Sequence, residues 1–388
     1  MIARFLLLVV LFLTDVAAQE RRDVFVVLSS GDSLDATLYL PTLGGPRPSL
    51  LFVHGFGLSK EADTASARIY AASGYVTMCY SVRGHGASSG SSTIMASQER
   101  ADLAEVIDYL RRMPETDNHR VGLVGGSQGG LHGLWAAADG LPVAALSSDV
   151  IVPHWASDML MNGSIRRTVV LLLQSPGVRY APARDTLWQL LRADDYDAFR
   201  AAFVAGRDVD TALLNASTVP TLRLLKWQDH YFSAEDGIAA FLASPAPKKL
   251  YAGTRGHFSD AAEAGRVYQY DQVTRWMGHF LKDEQNGITD EPVLTVAASS
   301  LPLDSSGAFT WTRTGVNRPD GTTSGVVFVP GSNPALFVAV GQTGVAYTKD
   351  FGATWIHADT TTTYGVGVAG AGVGFFAGAR NACAYRRK

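Results

Sequence analysis

Between Val121 and Trp135 the chain reads VGLVGGSQGGLHGLW, an apolar run, then one serine with two glycines on either side, then a segment with helical spacing. A strand that must become a helix within a few residues leaves little choice of fold, because the turn has no room for side chains around it. Gly125, Ser127 and Gly129 fit G-x-S-x-G. The pattern alone occurs by chance, and its meaning comes from the strand ahead and the helix behind. The turn would push the Ser127 hydroxyl out past the strand end, where the free N–H groups of a helix N-terminus stand beside it.

A serine at its ordinary pKa is a weak nucleophile and needs a base, which a third group must orient. After such an elbow the order runs serine, acid, histidine, each just past a later strand. Asp229 follows TLRLLKWQ and His257 follows KKLYAGTRG. Ser127 is therefore the expected nucleophile, His257 the base and Asp229 the acid. Asp236 and Asp149 compete for the acid, and His230 competes for the base. His132 and His154 lie near the expected cleft and read as packed or solvated, while His119, His279 and His357 read as surface or helical residues. His54-Gly55-Phe56-Gly57 follows SLLFV, so its loop is expected to supply an oxyanion donor, the Phe56 N–H pairing with that of Gln128. Arg83 to Ser88 reads as structural support, with Arg83 tying loops together by forked hydrogen bonds.

The rest of the chain suits this elbow. DVFVVLSS and LDATLYLP read as an opening hairpin. SLLFVHG, YVTMCYSVRG, RVGLVGG, VAALSSDV, TLRLLKW and KKLYAGT are apolar runs that fit strands covered on both faces. Leu103, Val106, Ile107 and Leu110 repeat at helical intervals within residues 97–113. The alternation predicts an α/β fold, a mostly parallel sheet with helices on both sides. Residues 151–219 are too long for one crossover and contain two helical segments between 183 and 206, so a helical insertion is expected, read either as a lid over the C-terminal edge of the sheet or as a structural elaboration of the scaffold. After about residue 288 glycine, threonine and valine dominate, and SGVVFV, ALFVAV, GVAYTK, YGVGVAG and VGFFAG read as short strands of a small all-β segment over 289–388.

Composition removes other classes. A net charge of −3 without any basic stripe argues against nucleic acid as a partner. No phosphate-binding loop or metal-ligand cluster is visible, so no cofactor or metal is expected. Residues 1–18 combine a basic start, the apolar run FLLLVVLFL and small residues at Val16 and Ala18, and read as a signal peptide for a secreted or periplasmic protein. Cys79 and Cys383 are the two cysteines, and a disulfide between them is not expected.

The segments SVRGHGASSG, GGSQGG, KWQDHYF, GTRGHF and GHFLKDEQNGI together resemble the α/β-hydrolase superfamily and, within it, the Xaa-Pro dipeptidyl-peptidase-like branch that also holds cocaine-esterase-type enzymes. The resemblance spans about residues 23–300. It implies a serine hydrolase acting on small ester or peptide substrates through an acyl-enzyme, with the same three residues as its triad. Many enzymes of that branch place a tyrosine hydroxyl in the oxyanion hole, where this chain has Phe56. Thr348 to Trp355 matches the Asp-box of β-propeller blades, with a degenerate echo ending at Trp311. Two blades cannot close a propeller, so this tail reads as a partial fold, a truncated one, or a module that pairs with a partner chain. A catalytically silent binding protein and an acyltransferase are the alternatives to a hydrolase.

Overall fold

The computed structural model describes residues 19–42, 44–160, 165–226, 229, 231–245, 247–253, 257, 263–296 and seven strands between 323 and 386 with Lys349. The chain divides into two compact units, Met1–Phe309 and Thr310–Lys388.

In the first unit β1 (Glu20–Val27) and β2 (Ser33–Leu40) form the expected antiparallel hairpin. The remaining strands are β3 (Arg47–Val53), β4 (Val76–Tyr80), β5 (Thr116–Gly126), β6 (Ala145–Asp149), β7 (Thr221–Lys226), β8 (Lys248–Gly253) and β9 (Leu294–Val296). They assemble in the order β1-β2-β4-β3-β5-β6-β7-β8-β9, parallel from β4 onward. This is the mostly parallel α/β-hydrolase sheet. β9 continues it past residue 288, where composition changes, because it pairs with β8 through Leu250 to Ala252.

Four of the helices that cover the sheet build its two main cores. α1 (Thr64–Ala72) follows β3, α2 (Ser97–Arg111) follows β4, and α3 (Gln128–Ala138) follows β5. Side chains alternate between the two faces of each strand. In β3, Leu51 and Val53 join the core under α2 and α3, with Leu103, Ile107, Leu131 and Trp135. Leu50 and Phe52 point the other way, into a core shared with Tyr70 of α1 and with Trp276 and Leu281. Those last two lie on the fourth helix, which runs over Glu263–Lys282 after β8.

Between β6 and β7 the chain inserts α4 (Trp155–Asp158), α5 (Arg167–Leu173), α6 (Ala183–Arg192), α7 (Tyr196–Val204) and α8 (Thr211–Ala216). α6 and α7 are the two helices read from the sequence. Trp155, Phe199 and Phe203 pack together and join the core beneath α3. Arg207 pins the insertion to the loop before α2, donating to the carbonyls of Thr93, Ile94, Ala202 and Phe203. α9 (Ala234–Ala243) connects β7 to β8, which makes the helix over Glu263–Lys282 α10.

The second unit holds an antiparallel sheet of β10 (Thr323–Val329), β11 (Leu336–Gly341), β12 (Gly344–Thr348) and β13 (Ile356–Asp359). A second antiparallel sheet contains β14 (Gly365–Gly370), β15 (Val373–Ala377) and β16 (Ala382–Arg386). All five strands read from the sequence are present. Residues 350–355 of the Asp-box-like stretch, and Trp311, lie outside the described residues, as do residues 1–18.

Candidate active site

Strand register gathers the loops. Val53 pairs with Gly125, Gly126 with Asp149, and Lys226 with Gly253, so β3, β5, β6, β7 and β8 end at one edge of the sheet. The segments carrying Phe56, Ser127, Asp229 and His257 all leave from that edge.

At the end of β5, Ser127 adopts φ 55° and ψ −118°, a left-handed conformation in a non-glycine residue. Such geometry costs about 1–3 kcal/mol and persists only where surrounding contacts impose it. Here the Ser127 N–H donates to the Asp149 carbonyl at 2.9 Å. The glycines let the turn close, since a Cβ on Gly125 would stand 2.4 Å from the Gly129 carbonyl carbon and one on Gly130 would stand 2.6 Å from the Asp149 oxygen.

His257 bridges the other two residues. Its Nε2 lies 3.0 Å from Ser127 Oγ and its Nδ1 lies 2.8 Å from Asp229 Oδ2. Both side chains of the acid–imidazole pair are buried, with 2% and 4% exposure. The second Asp229 oxygen, Oδ1, accepts the Tyr231 N–H at 2.7 Å and the Phe232 N–H at 3.4 Å. Both oxygens of the Asp229 carboxylate are thus engaged. An ionised carboxylate at Nδ1 holds the proton there and leaves Nε2 as the acceptor facing the hydroxyl.

The loop after β3 passes beside the serine, with the Cβ direction of Gly55 only 3.8 Å from Ser127 Cβ. His54 sets its path: Nδ1 faces the Gly55 carbonyl at 2.8 Å, and Nε2 accepts the Val82 N–H at 2.9 Å. Both ring nitrogens are thus used by the neutral form. Burial, helped by neighbouring His85, pushes His54 down to about 3. Phe56 follows Gly55 in this loop and Gln128 opens α3 directly after Ser127, and neither amide donates to a described backbone carbonyl. The insertion meets the same loop, since Ser175 Oγ stands 3.3 Å from the Cβ direction of Gly57 and the Tyr180 ring lies 6.4 Å from that of Phe56.

The rivals lie elsewhere. Asp236 is taken by His154, accepting from its Nδ1 at 2.7 Å and its N–H at 2.8 Å. His132 is buried in α3 and its Nδ1 meets the Gln128 carbonyl at 2.8 Å, a packed histidine. Asp149 stands close enough for His257 to act on it electrostatically, but burial raises its pKa and so favours the uncharged carboxyl. His230 lies outside the described residues. Arg83 forks onto Asp102 at 2.6 and 3.0 Å and reaches Asp32 at 2.8 Å, tying the loop after β4 to α2 and the hairpin. Cys79 is a buried free thiol.

Sequence reasoning passed over Tyr231 and Phe232, although both stand in the quoted KWQDHYF. Their rings lie 4.4 and 5.4 Å from the His257 imidazole. The signal available is an aromatic pair two and three residues past the acid.

Known proteins are similar to this chain in sequence and in fold. A CocE/NonD family hydrolase from Staphylococcus aureus has the same fold, with a TM-score of 0.59 at 15% identity over 81% of this chain and 59% of its own. An uncharacterized 31.7 kDa protein from the traX-finO intergenic region of Escherichia coli is 28% identical over 143 residues, covering 36% of this chain and 49% of that protein. The quorum-quenching protein AidA of Acinetobacter baumannii is 31% identical over 131 residues, covering 33% and 43%. The chain thus spans about half the length of the curated relatives it matches. A model of the X-Pro dipeptidyl-peptidase (S15 family) matches residues 30–259, which is more than half of the 388 residues and takes in the elbow, Asp229 and His257. On that match, the chain belongs to the X-Pro dipeptidyl-peptidase (S15) family.

Proposed function

We propose that the protein is a serine hydrolase that cleaves carboxylic esters or amides through an acyl-enzyme on Ser127, His257 and Asp229. The observation that carries this reading is the double contact of His257, with Nε2 3.0 Å from Ser127 Oγ and Nδ1 2.8 Å from Asp229 Oδ2. Ser127 Oγ attacks the substrate carbonyl as its proton passes to His257 Nε2. The charge that develops on the carbonyl oxygen is met by the N–H groups of Phe56 and Gln128. Collapse expels the alcohol or amine, which leaves with the proton from Nε2. Water then gives a proton to Nε2, attacks the acyl carbon, and releases the acid and free serine. Asp229 stays ionised and stabilises the imidazolium in both halves.

With Phe56 in the loop, only a main-chain donor is available where a tyrosine hydroxyl would stand. A broad ester or amide substrate range follows more naturally than strict Xaa-Pro cleavage. Export is part of the same proposal, supported by the leader-like composition of residues 1–18. N-terminal sequencing of protein recovered outside the cytoplasm checks it, with Met1 retained on the mature protein as the contrary result.

The enzymatic proposal is tested by labelling with a fluorophosphonate probe, beside Ser127→Ala, followed by p-nitrophenyl esters and Xaa-Pro anilides. Labelling lost in the variant, together with a fall in kcat of roughly 10⁶-fold, is expected. A folded wild-type protein that neither labels nor turns over any substrate would refute the reading.

A further inference from the structure

Tyr231 and Phe232, which follow Asp229 in the same loop, serve the imidazole in two ways. Their amides orient the acid, with the Tyr231 and Phe232 N–H groups donating to Oδ1. Their rings enclose the base. The Tyr231 ring lies 4.4 Å from His257, centroid to centroid, with the planes 33° apart. Phe232 meets the same imidazole at 5.4 Å and 66°, an edge contact. Edge contact is ordinary aromatic packing. The close Tyr231 ring, tilted by 33°, does more, because an electron-rich ring face attracts a cation held against it.

We propose that Tyr231 is a positioning residue whose ring face holds the His257 imidazole between Ser127 and Asp229 and stabilises the imidazolium that forms when Nε2 takes the serine proton. The inference rests on the triad reading above. The tyrosine hydroxyl plays no part in it, so a phenylalanine serves as well. Among the described residues, the other titratable groups acting on this cluster include Asp149 at the end of β6, Lys226 at the end of β7, Asp158 in α4 and Arg167 at the start of α5. All of them remain in place in the variants below.

The test compares wild type, Tyr231→Phe, Tyr231→Leu and a protein with pentafluorophenylalanine in place of Tyr231. The fluorinated ring keeps the shape and inverts the charge distribution of the face, so it keeps the packing and folds where Tyr231→Leu fails to. Two readouts are taken: the pH profile of p-nitrophenyl ester hydrolysis, and the NMR titration of the His257 imidazole assigned with His257→Gln. Loss of the attractive face is expected to lower kcat roughly fivefold with KM little changed. It also moves the acid limb and the imidazole titration about half a unit toward lower pH. Tyr231→Phe should match wild type on both. A fluorinated protein that titrates with wild type, a loss confined to KM, or failure of Tyr231→Phe to restore the profile would overturn the inference. If wild type turns nothing over, the hydrolase reading fails and the NMR titration alone decides this one.

Discussion

Gly129 and Val53 are in contact through bare main chain: a Cβ built on Gly129 would fall 1.7 Å from the Val53 carbonyl oxygen. The first turn of α3 is therefore pressed against the end of β3, and the same approach brings the loop of Phe56 beside Ser127. Gly129→Ala cannot be absorbed by a rotamer change and is expected to give insoluble or inactive protein. Gly126 provides the contrast, since its nearest neighbour would be Asp149 Cβ at 3.8 Å, an ordinary contact. Gly126→Ala should retain activity and melt within about 1 kcal/mol of wild type. Thermal melts and ester hydrolysis on the two variants check the pair.

Two aspartates compete for the role of triad acid, and their environments predict opposite outcomes. Asp229 accepts from His257 on one oxygen and from two amides on the other. Asparagine there turns a donor toward Nδ1 and selects the wrong tautomer, so Asp229→Asn should lower kcat by roughly 10⁴-fold. Asp149 has a buried Oδ1 with no hydrogen-bond partner among the described residues, and its surroundings favour the neutral acid. Asparagine keeps the shape of that side chain and removes a charge that burial disfavours, so Asp149→Asn should cost less than about tenfold. Steady-state kinetics on both variants decide which carboxylate serves the imidazole.

Acid should weaken the protein through His132. Burial pushes this histidine down to about 4 in the folded chain, against 6.5 for an exposed imidazole. Between those values the unfolded chain binds a proton that the folded chain does not, so stability contributed by this site falls as the pH drops. Above 6.5 both states are neutral and nothing is lost. Asp63, raised to about 7 by burial, works in the opposite sense over much of the same range, so the effect is read as a difference between variants. Wild type should lose about 1.4 kcal/mol per pH unit relative to His132→Gln as the pH falls below 6.5. Urea unfolding at several pH values measures it, and parallel curves would contradict it.

Arg207 holds strained backbone in place. Ile94 sits at φ 64°, unfavourable for a β-branched side chain, and its carbonyl accepts Arg207 Nε at 2.9 Å. The same guanidinium donates to Thr93 at 2.8 Å and to Phe203 at 2.9 Å. Burial, only partly offset by the charge of Glu99, lowers its pKa to about 10, so it remains charged at neutral pH. Arg207→Leu leaves those carbonyls without donors and should destabilise by roughly 2–4 kcal/mol. A lower melting temperature, with faster proteolysis across residues 151–219, is the expected result.

The sequence by itself determined the elements and their order. Apolar runs with few charges read as covered strands, and the glycines around Ser127 read as an elbow, because both signals are local: a strand needs its own side chains and a tight turn needs its own missing ones. The same locality made Asp229 and His257 recognisable, since each follows directly on its strand. What depended on distant partners was not legible. β9 is three residues long and exists as a strand only through its pairing with β8. α4, α5 and α8 are short helices whose buried residues, Trp155, Leu173 and Leu214 among them, join a core shared with neighbours remote in sequence, and nothing in their own spacing announces them. Tertiary structure alone decided that Asp236 belongs to His154, that Asp149 is held toward neutrality, and that the Tyr231 ring lies on the imidazole. Hydrogen-bond partners, burial and ring contacts are properties of pairs far apart in the chain, and they exist only once the strand ends have been brought to one edge.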